Sequence, residues 1–247
     1  MKYTYSLLLA FCFCLISFAQ AQFPSDWDLM GLKDKPKQIE ITTSYKFYGR
    51  DAHKSRKGKT SHTFNKKGRL IMTQVDSLAN DSTAIPLKTL MYKFTGKNTR
   101  VILDKKTGDT LKIEAFKQRK DNTMVLISKS EQTKPYKQTN TNMLVFNSDF
   151  QHLETNDTTR YNGEALDMTI MMNQEYSYDG AERTGITVKS TQKTNSEMFG
   201  ERHNPGNTSK FTYRNYSYDT QGNYTYREMQ DNLGRAVLIE ERTIIYR

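Results

Sequence analysis

Histidine, cysteine and carboxylate are the side chains most able to do chemistry, and their spacing here excludes most of it. The four histidines, His53, His62, His152 and His203, are far apart, with no H-x-H or H-E-x-x-H pair. Zinc needs three or four ligands, and the two cysteines, Cys12 and Cys14, both fall in the first apolar run. No G-x-S-x-G elbow, phosphate loop or dinucleotide fingerprint is present. A serine nucleophile needs a histidine held by a carboxylate, and none of the four has that local setting. Glu175, Asp179, Glu228 and Asp231 could meet across strands as a glycosidase pair, whose chemistry depends on carboxyl separation. In a turn-rich sequence they read instead as turn caps and solvent-facing acids. The stretches Asn80-Asp81, Asp104 to Asp109 and Asn156-Asp157 lack calcium-loop spacing and read as turns. The sequence therefore predicts a non-enzyme with no catalytic residues, no metal and no cofactor; an enzyme of unrecognised type is an alternative.

Binding chemistry remains. Tyr213, Tyr216, Tyr218, Tyr224 and Tyr226, with Arg214 and Arg227 between them, form a candidate binding surface, since rings beside guanidinium groups suit sugar faces or another protein. The competing expectation is that these rings simply cover a core, because tyrosine is a strong strand former. The formal net charge is +10, which attracts anions generally. Its basic residues recur in short groups such as Lys54-Ser55-Arg56-Lys57 and Lys117-Gln118-Arg119-Lys120, the pattern of solvated turns.

The partner class follows from the address. Met1 to Tyr5 carries one charge, Lys2; Leu7 to Phe18 is almost unbroken apolar; Ala19-Gln20-Ala21 closes the segment. That order is a signal peptide cleaved after Ala21, and its apolar run is too short to span a bilayer as a helix. A lipobox alternative at Cys12 is weakened by the bulky Phe11 before it. Residues 1–21 are thus a leader, and both cysteines leave with it, so disulfides and thiol chemistry are excluded beyond it. The expected location is the periplasm, cell surface or exterior, with no transmembrane span after leader removal. The expected partner is a cell-envelope glycan or protein, not nucleic acid.

These side chains must be positioned by strands. Ile39, Ile41, Thr43, Tyr45 and Phe47 alternate with Glu40, Thr42, Ser44 and Lys46, the period-two pattern of a half-buried antiparallel strand. Similar alternation recurs in Leu90, Tyr92, Phe94, in Leu111, Ile113, Ala115, and in Met168, Ile170, Met172, Gln174, Tyr176. Glycine-containing turns at Gly68, Gly96, Gly108, Gly163, Gly180, Gly222 and Gly234 separate such runs. No long stretch has helical spacing. Residues 22–36, containing Trp27, form an N-terminal segment whose tryptophan is expected to plug the end of a core, and Gln192 to Ser209 reads as a long polar loop. Residues 37–247 are predicted to be one all-β domain of successive antiparallel hairpins, forming one extended, curved sheet or an open barrel or sandwich.

The turns resemble one another. Tyr176-Ser177-Tyr178-Asp179-Gly180 and Tyr216-Ser217-Tyr218-Asp219-Thr220-Gln221-Gly222-Asn223, followed by Asp231-Asn232-Leu233-Gly234-Arg235, resemble the tyrosine-aspartate (YD or RHS-like) repeat of exported bacterial proteins, mainly over residues 176–247. Phe64-Asn65-Lys66-Lys67-Gly68-Arg69-Leu70 is a more distant instance. The resemblance implies joined hairpins and transfers no catalytic residue. The leading expectation is an exported, non-enzymatic β-sheet protein that binds through an aromatic and basic face. The alternative is an outer-membrane β-barrel, whose strands alternate apolar and polar sides.

Overall fold

The computed structural model describes residues 23–79, 83–133, 137–163, 166–196 and 200–247. The expected leader and the Asn80-Asp81 turn lie outside the described residues. Among the described residues fifteen strands follow one short α-helix, α1 (Asp26–Leu29), with a 3-10 turn at Gly49–Lys54 after the first strand: β1 (Gln38–Tyr45), β2 (Arg56–Phe64), β3 (Leu70–Leu78), β4 (Ala84–Phe94), β5 (Thr99–Asp104), β6 (Thr110–Gln118), β7 (Met124–Gln132), β8 (Lys137–Phe146), β9 (His152–Asn162), β10 (Leu166–Asp179), β11 (Glu182–Ser196), β12 (Gly200–Asn204), β13 (Thr208–Tyr218), β14 (Tyr224–Gln230) and β15 (Ala236–Ile245).

Each strand pairs antiparallel with its neighbours, and two further pairings close the sheet. β1 runs beside β15, from Gln38 opposite Ile245 to Tyr45 opposite Leu238. On the other flank β11 pairs with both β10 and β13. The predicted curved sheet of hairpins is thus a closed barrel of 14 strands. Closure pairs both flanks of the sheet, which would otherwise offer unpaired backbone to other chains, and among the described residues leaves β12 and the start of β13 with one unpaired side.

The segment predicted to be a loop between Gln192 and Ser209 is largely strand. β12 pairs with Gln192–Ser196 of β11, and β13 pairs with Gly185–Lys189 of the same strand. β12 and β13 therefore form one line broken at Pro205-Gly206. Gly206 has φ 71° there, and a Cβ on it would overlap the Ser190 carbonyl. Polar, β-branched sequence on a wall wet on both sides gave no apolar alternation to reveal these strands.

Closure fixes two faces and two ends. At one end the turns 65–69, 147–151 and 219–223 share a single geometry. The side-chain oxygen of Asn65, Asn147 or Asp219 accepts the backbone amides two and four residues on, and that Asx amide donates to the carbonyl four residues on. The aromatic before each turn begins the loop: Phe64 and Phe146 point inward, each 2% exposed.

Residues 23–36 cross this end from inside. Ser25 caps α1 by accepting from the Asp28 amide. Phe23 joins Phe116, Met124, Leu126 and Phe146 in one apolar cluster; Trp27 joins Ile39, Phe64 and Leu70 in another. The Trp27 indole donates to the Pro36 carbonyl at 3.0 Å. Gly68 makes room for it, since a Cβ there would overlap the indole ring. Asn223 then ties the far side, accepting from the Lys33 amide and donating to the Lys33 carbonyl. The plug role expected of Trp27 is the role it has.

One ion network locks the plug to the wall. Arg100 donates to both Asp26 oxygens at 2.7 and 2.8 Å and to Glu114 at 2.6 Å. Asp26 also accepts from the Leu70 amide, and Ser128 donates to Glu114. All four side chains are buried. Burial raises the Asp26 pKa against the opposing pull of Arg100, as expected where two carboxylates share one guanidinium.

Candidate functional site: an arginine and tyrosine ladder in the lumen

The inner face can be followed strand by strand from the plug contacts, because residues directly opposite in an antiparallel pair share a face. Arg100 opposes Glu114, Glu114 opposes Ser128, and the same face continues through Asn142, Asp157, Met172 and Ser190. Toward the unplugged end this face is polar and of mixed charge, with Asp157, Arg56, Lys88, Lys112 and Arg202 on it among amides and hydroxyls. Asn142 donates to Asp157 at 2.5 Å, Thr159 donates to Asn140, and the Gln192 and Thr194 side chains meet. These residues are only partly buried, so water reaches the lumen.

Above the plug, the wall from β9 to β15 carries an unbroken stack. His152 lies 4.5 Å from the Tyr176 ring. The Arg183 guanidinium sits 4.2 Å over Tyr176 and 5.7 Å from Tyr213. Arg227 follows, 4.7 Å from Tyr213 and 4.3 Å from Tyr224. Arg242 ends the ladder 3.5 Å over Tyr224. Rings and guanidinium groups thus alternate across neighbouring strands, each contact an attraction between cation and ring quadrupole.

The charge in this ladder is not balanced. Among the described residues the only ion pair it holds is Arg227 with Glu240. Arg183 donates from Nε and Nη2 to the Tyr178 hydroxyl and, among the described residues, forms no ion pair. The Arg242 Nε is buried without a hydrogen-bond partner. Burial, with Arg227 and Arg183 nearby, lowers the Arg242 pKa. The inward histidines do not add charge at neutral pH: burial and Arg242 push His62 down to about 4, and burial and Arg183 do the same to His152. Burial pushes the Tyr224 phenol up to about 12.

The seven residues predicted as a binding surface are divided by the sheet. Asn215, in a left-handed conformation at φ 56°, sits at an irregularity in the pairing of β13 with β14. Tyr213 and Arg227 are buried inward, and Tyr216 stacks on Tyr218 and meets Tyr224 edge to face. Tyr218 stands at the plugged rim, 49% exposed, its hydroxyl donating to Glu182. Arg214 and Tyr226 face outside, where Tyr226 donates to Glu228. An exposed aromatic face is therefore not what these residues form; five of them line the lumen or its rim.

Sequence reasoning missed Arg183, Arg242, Tyr176, His152 and Glu240 as members of the same site. Tyr176 stood in a recognised alternating run, but the arginines are single basic residues whose strands meet only through closure.

The other predicted acids are dispersed. Glu175 pairs outside with Lys189, Glu228 is bonded outside by Tyr226 and Asn215, and Asp231 caps its own turn. His53 and His203 are exposed on other elements. Among the described residues no group of histidine, aspartate or glutamate side chains could hold a metal ion. Nor is any described helix long and apolar enough to cross a membrane, which leaves the strands of the barrel unaddressed.

The outer face is two-sided. From β4 to β8 it carries a run of apolar pairs, Met91 opposite Leu103, Val101 opposite Ile113, Ala115 opposite Ile127 and Val125 opposite Val145, with Lys93, Lys117 and Lys129 set among them. Around the rest it is charged, with Glu40, Lys59, Glu154, Glu175, Lys189, Lys193, Lys210, Arg214, Glu228 and Glu241 on the side opposite the lumen.

Comparison with known proteins gives little company. No family model matches the chain, and no curated protein matches it. One solved structure similar to it is that of a porin-like protein from Bacteroides uniformis, 11% identical, with 86% of this chain and 98% of that one covered and a TM-score of 0.41.

Proposed function

We propose that the protein is a non-enzymatic barrel of the cell envelope that holds a ligand inside its lumen. The observation carrying this reading is the asymmetry of the barrel. One mouth is sealed by a covalently attached, ion-locked plug, while among the described residues no segment crosses the other. A plugged tube with a hydrated polar upper lumen and a basic, aromatic floor is a chamber. Closure favours the barrel among the expectations drawn from sequence over an exposed tyrosine-paved sheet, because the rings turn inward.

The outer surface argues for water around most of it. A lysine or arginine on the lipid face costs about 2–4 kcal/mol at the bilayer midplane, and the sector from β9 to β2 carries several with their acidic neighbours. The run of apolar pairs between β4 and β8 supports a second reading, in which the barrel spans the outer membrane.

Adjacent residues separate the two readings. Thr158 faces out and Thr159 faces the lumen, and the sequence beyond Ala21 has no cysteine. In the chain recovered from its envelope, a water-soluble maleimide should label both Thr158→Cys and Thr159→Cys. Labelling at 159 alone, with 158 quenched by brominated lipid, would establish the spanning barrel. No labelling at 159 would remove the chamber.

A further inference from the structure

We propose that Arg183, Arg227 and Arg242 form a binding site for a dianionic phosphoryl group, with Tyr176, Tyr213 and Tyr224 as its walls. The site deepens the chamber reading and rests on it. Three guanidinium groups line one stretch of the lumenal wall, from β11, β14 and β15, and among the described residues a single carboxylate, Glu240, pairs with them. Three positive charges against one negative leave two uncompensated, and His62 and His152 are neutral at pH 7. Leaving buried charge unpaired is costly, so the ladder is complete only with an anion of charge near minus two.

The type of anion follows from the donors. Arginine presents planar forks that match oxyanions with two bonds each. A carboxylate has two oxygens and one charge, too little for a wall with two uncompensated guanidinium charges, whereas a phosphomonoester presents three terminal oxygens and two charges. The unpartnered Arg242 Nε is the group that most directly needs an acceptor. The tyrosine rings are taken up in holding the guanidinium groups, so the organic part of such a ligand, as in sugar or glycerol phosphates, would lie in the polar lumen. Two sources share this chemistry: a soluble phosphomonoester and a phosphorylated lipid headgroup.

The test uses the full chain as the cell exports it, in phosphate-free buffer. Glycerol phosphate is titrated calorimetrically, with glycerol as the control. Vesicles containing phosphatidic acid in phosphatidylcholine are compared with phosphatidylcholine alone. Saturable binding of glycerol phosphate but not glycerol is expected, weakened at least tenfold in Arg242→Gln and in Arg183→Gln. Arg242→Lys, which keeps the charge and loses the fork, should fall between. Arg242→Gln removes an unpaired buried charge, so its melting temperature should match or exceed the parent's; a loss of affinity is then a loss of ligand contact. Binding only to phosphatidic acid vesicles would assign the site to a lipid headgroup. Two results overturn the proposal: no saturable binding of either phosphoryl probe, or equal binding by the Arg183→Gln, Arg242→Gln double variant. A lumen that still admits maleimide at Thr159→Cys while binding no phosphoryl probe would overturn the site alone. A lumen closed to maleimide would overturn the chamber itself.

Discussion

Replacing Asp26 by alanine should unseat the plug while leaving the barrel standing. The side chain is 3% exposed and accepts from Arg100 twice and from the Leu70 amide once. An orphaned buried amide costs about 1–3 kcal/mol, and breaking a buried ion pair about 3–5. The second figure is an upper limit here, because Arg100 keeps Glu114 at 2.6 Å and the remaining pair is charge-balanced. We expect a loss of about 3 kcal/mol, more than a hundredfold in the seating equilibrium. Asp26→Asn keeps an acceptor for Leu70 and relieves the crowding of two carboxylates, so it should lose less than half as much. Trp27 is the only tryptophan and lies in the plug, so its emission reports seating directly. In Asp26→Ala, acrylamide quenching of Trp27 should rise at denaturant concentrations where the far-UV β signal is intact. Unchanged quenching, or a denaturation midpoint within about 0.5 kcal/mol of the parent, would refute the lock. Exposure of Trp27 only together with loss of the β signal would show that the plug and barrel are one cooperative unit.

Two further outcomes follow from the same interior. His62 and His152 have folded pKa values pushed down to about 4 from 6.5, so each contributes stability above pH 6.5 that is lost as pH falls toward 4, up to about 3 kcal/mol apiece at 1.36 kcal/mol per unit. Urea midpoints measured from pH 7 to pH 4 should fall, and His62→Gln with His152→Gln should flatten that slope; an unchanged slope would mean the rings already titrate normally. Gly68→Ala combines a φ of 74° with overlap on Trp27, so it should destabilise by about 2 kcal/mol or more, whereas Gly234→Ala, with φ 75° and open space, should cost about half that; equal melting temperatures would sink the packing argument.

The local grammar of this fold was legible. Ile39 and Ile41 alternate with Glu40 and Thr42 and form β1, and the Asx turns at Asn65, Asp219 and Asp231 stand where glycine-bearing strings placed them. Trp27 was legible as a plug because a large ring in a proline-flanked segment before a sheet has few other uses. Closure was not legible, since the pairing of Gln38 with Ile245 depends on curvature summed over every intervening strand and leaves no mark in either sequence. Because closure decides which side of the pleat is inside, Tyr213 and Tyr226 could not be told apart as lumenal and external. The β12 strand was hidden for a related reason: Glu201, Arg202 and His203 are exposed, and an all-polar strand has no period to read.

The seam between β1 and β15 also fixes when this molecule can exist. Every other wall contact is available as soon as a hairpin has emerged, but the first strand must wait for the last, and non-local pairing of that kind is slow. Until Ile244 arrives beside Ile39, the apolar bed of Trp27 is incomplete, so the plug cannot seat on a partial ring. A truncated or stalled chain would therefore display two raw edges and an undocked plug at once, making an unfinished barrel conspicuous to proteases and a finished one poorly visible to them.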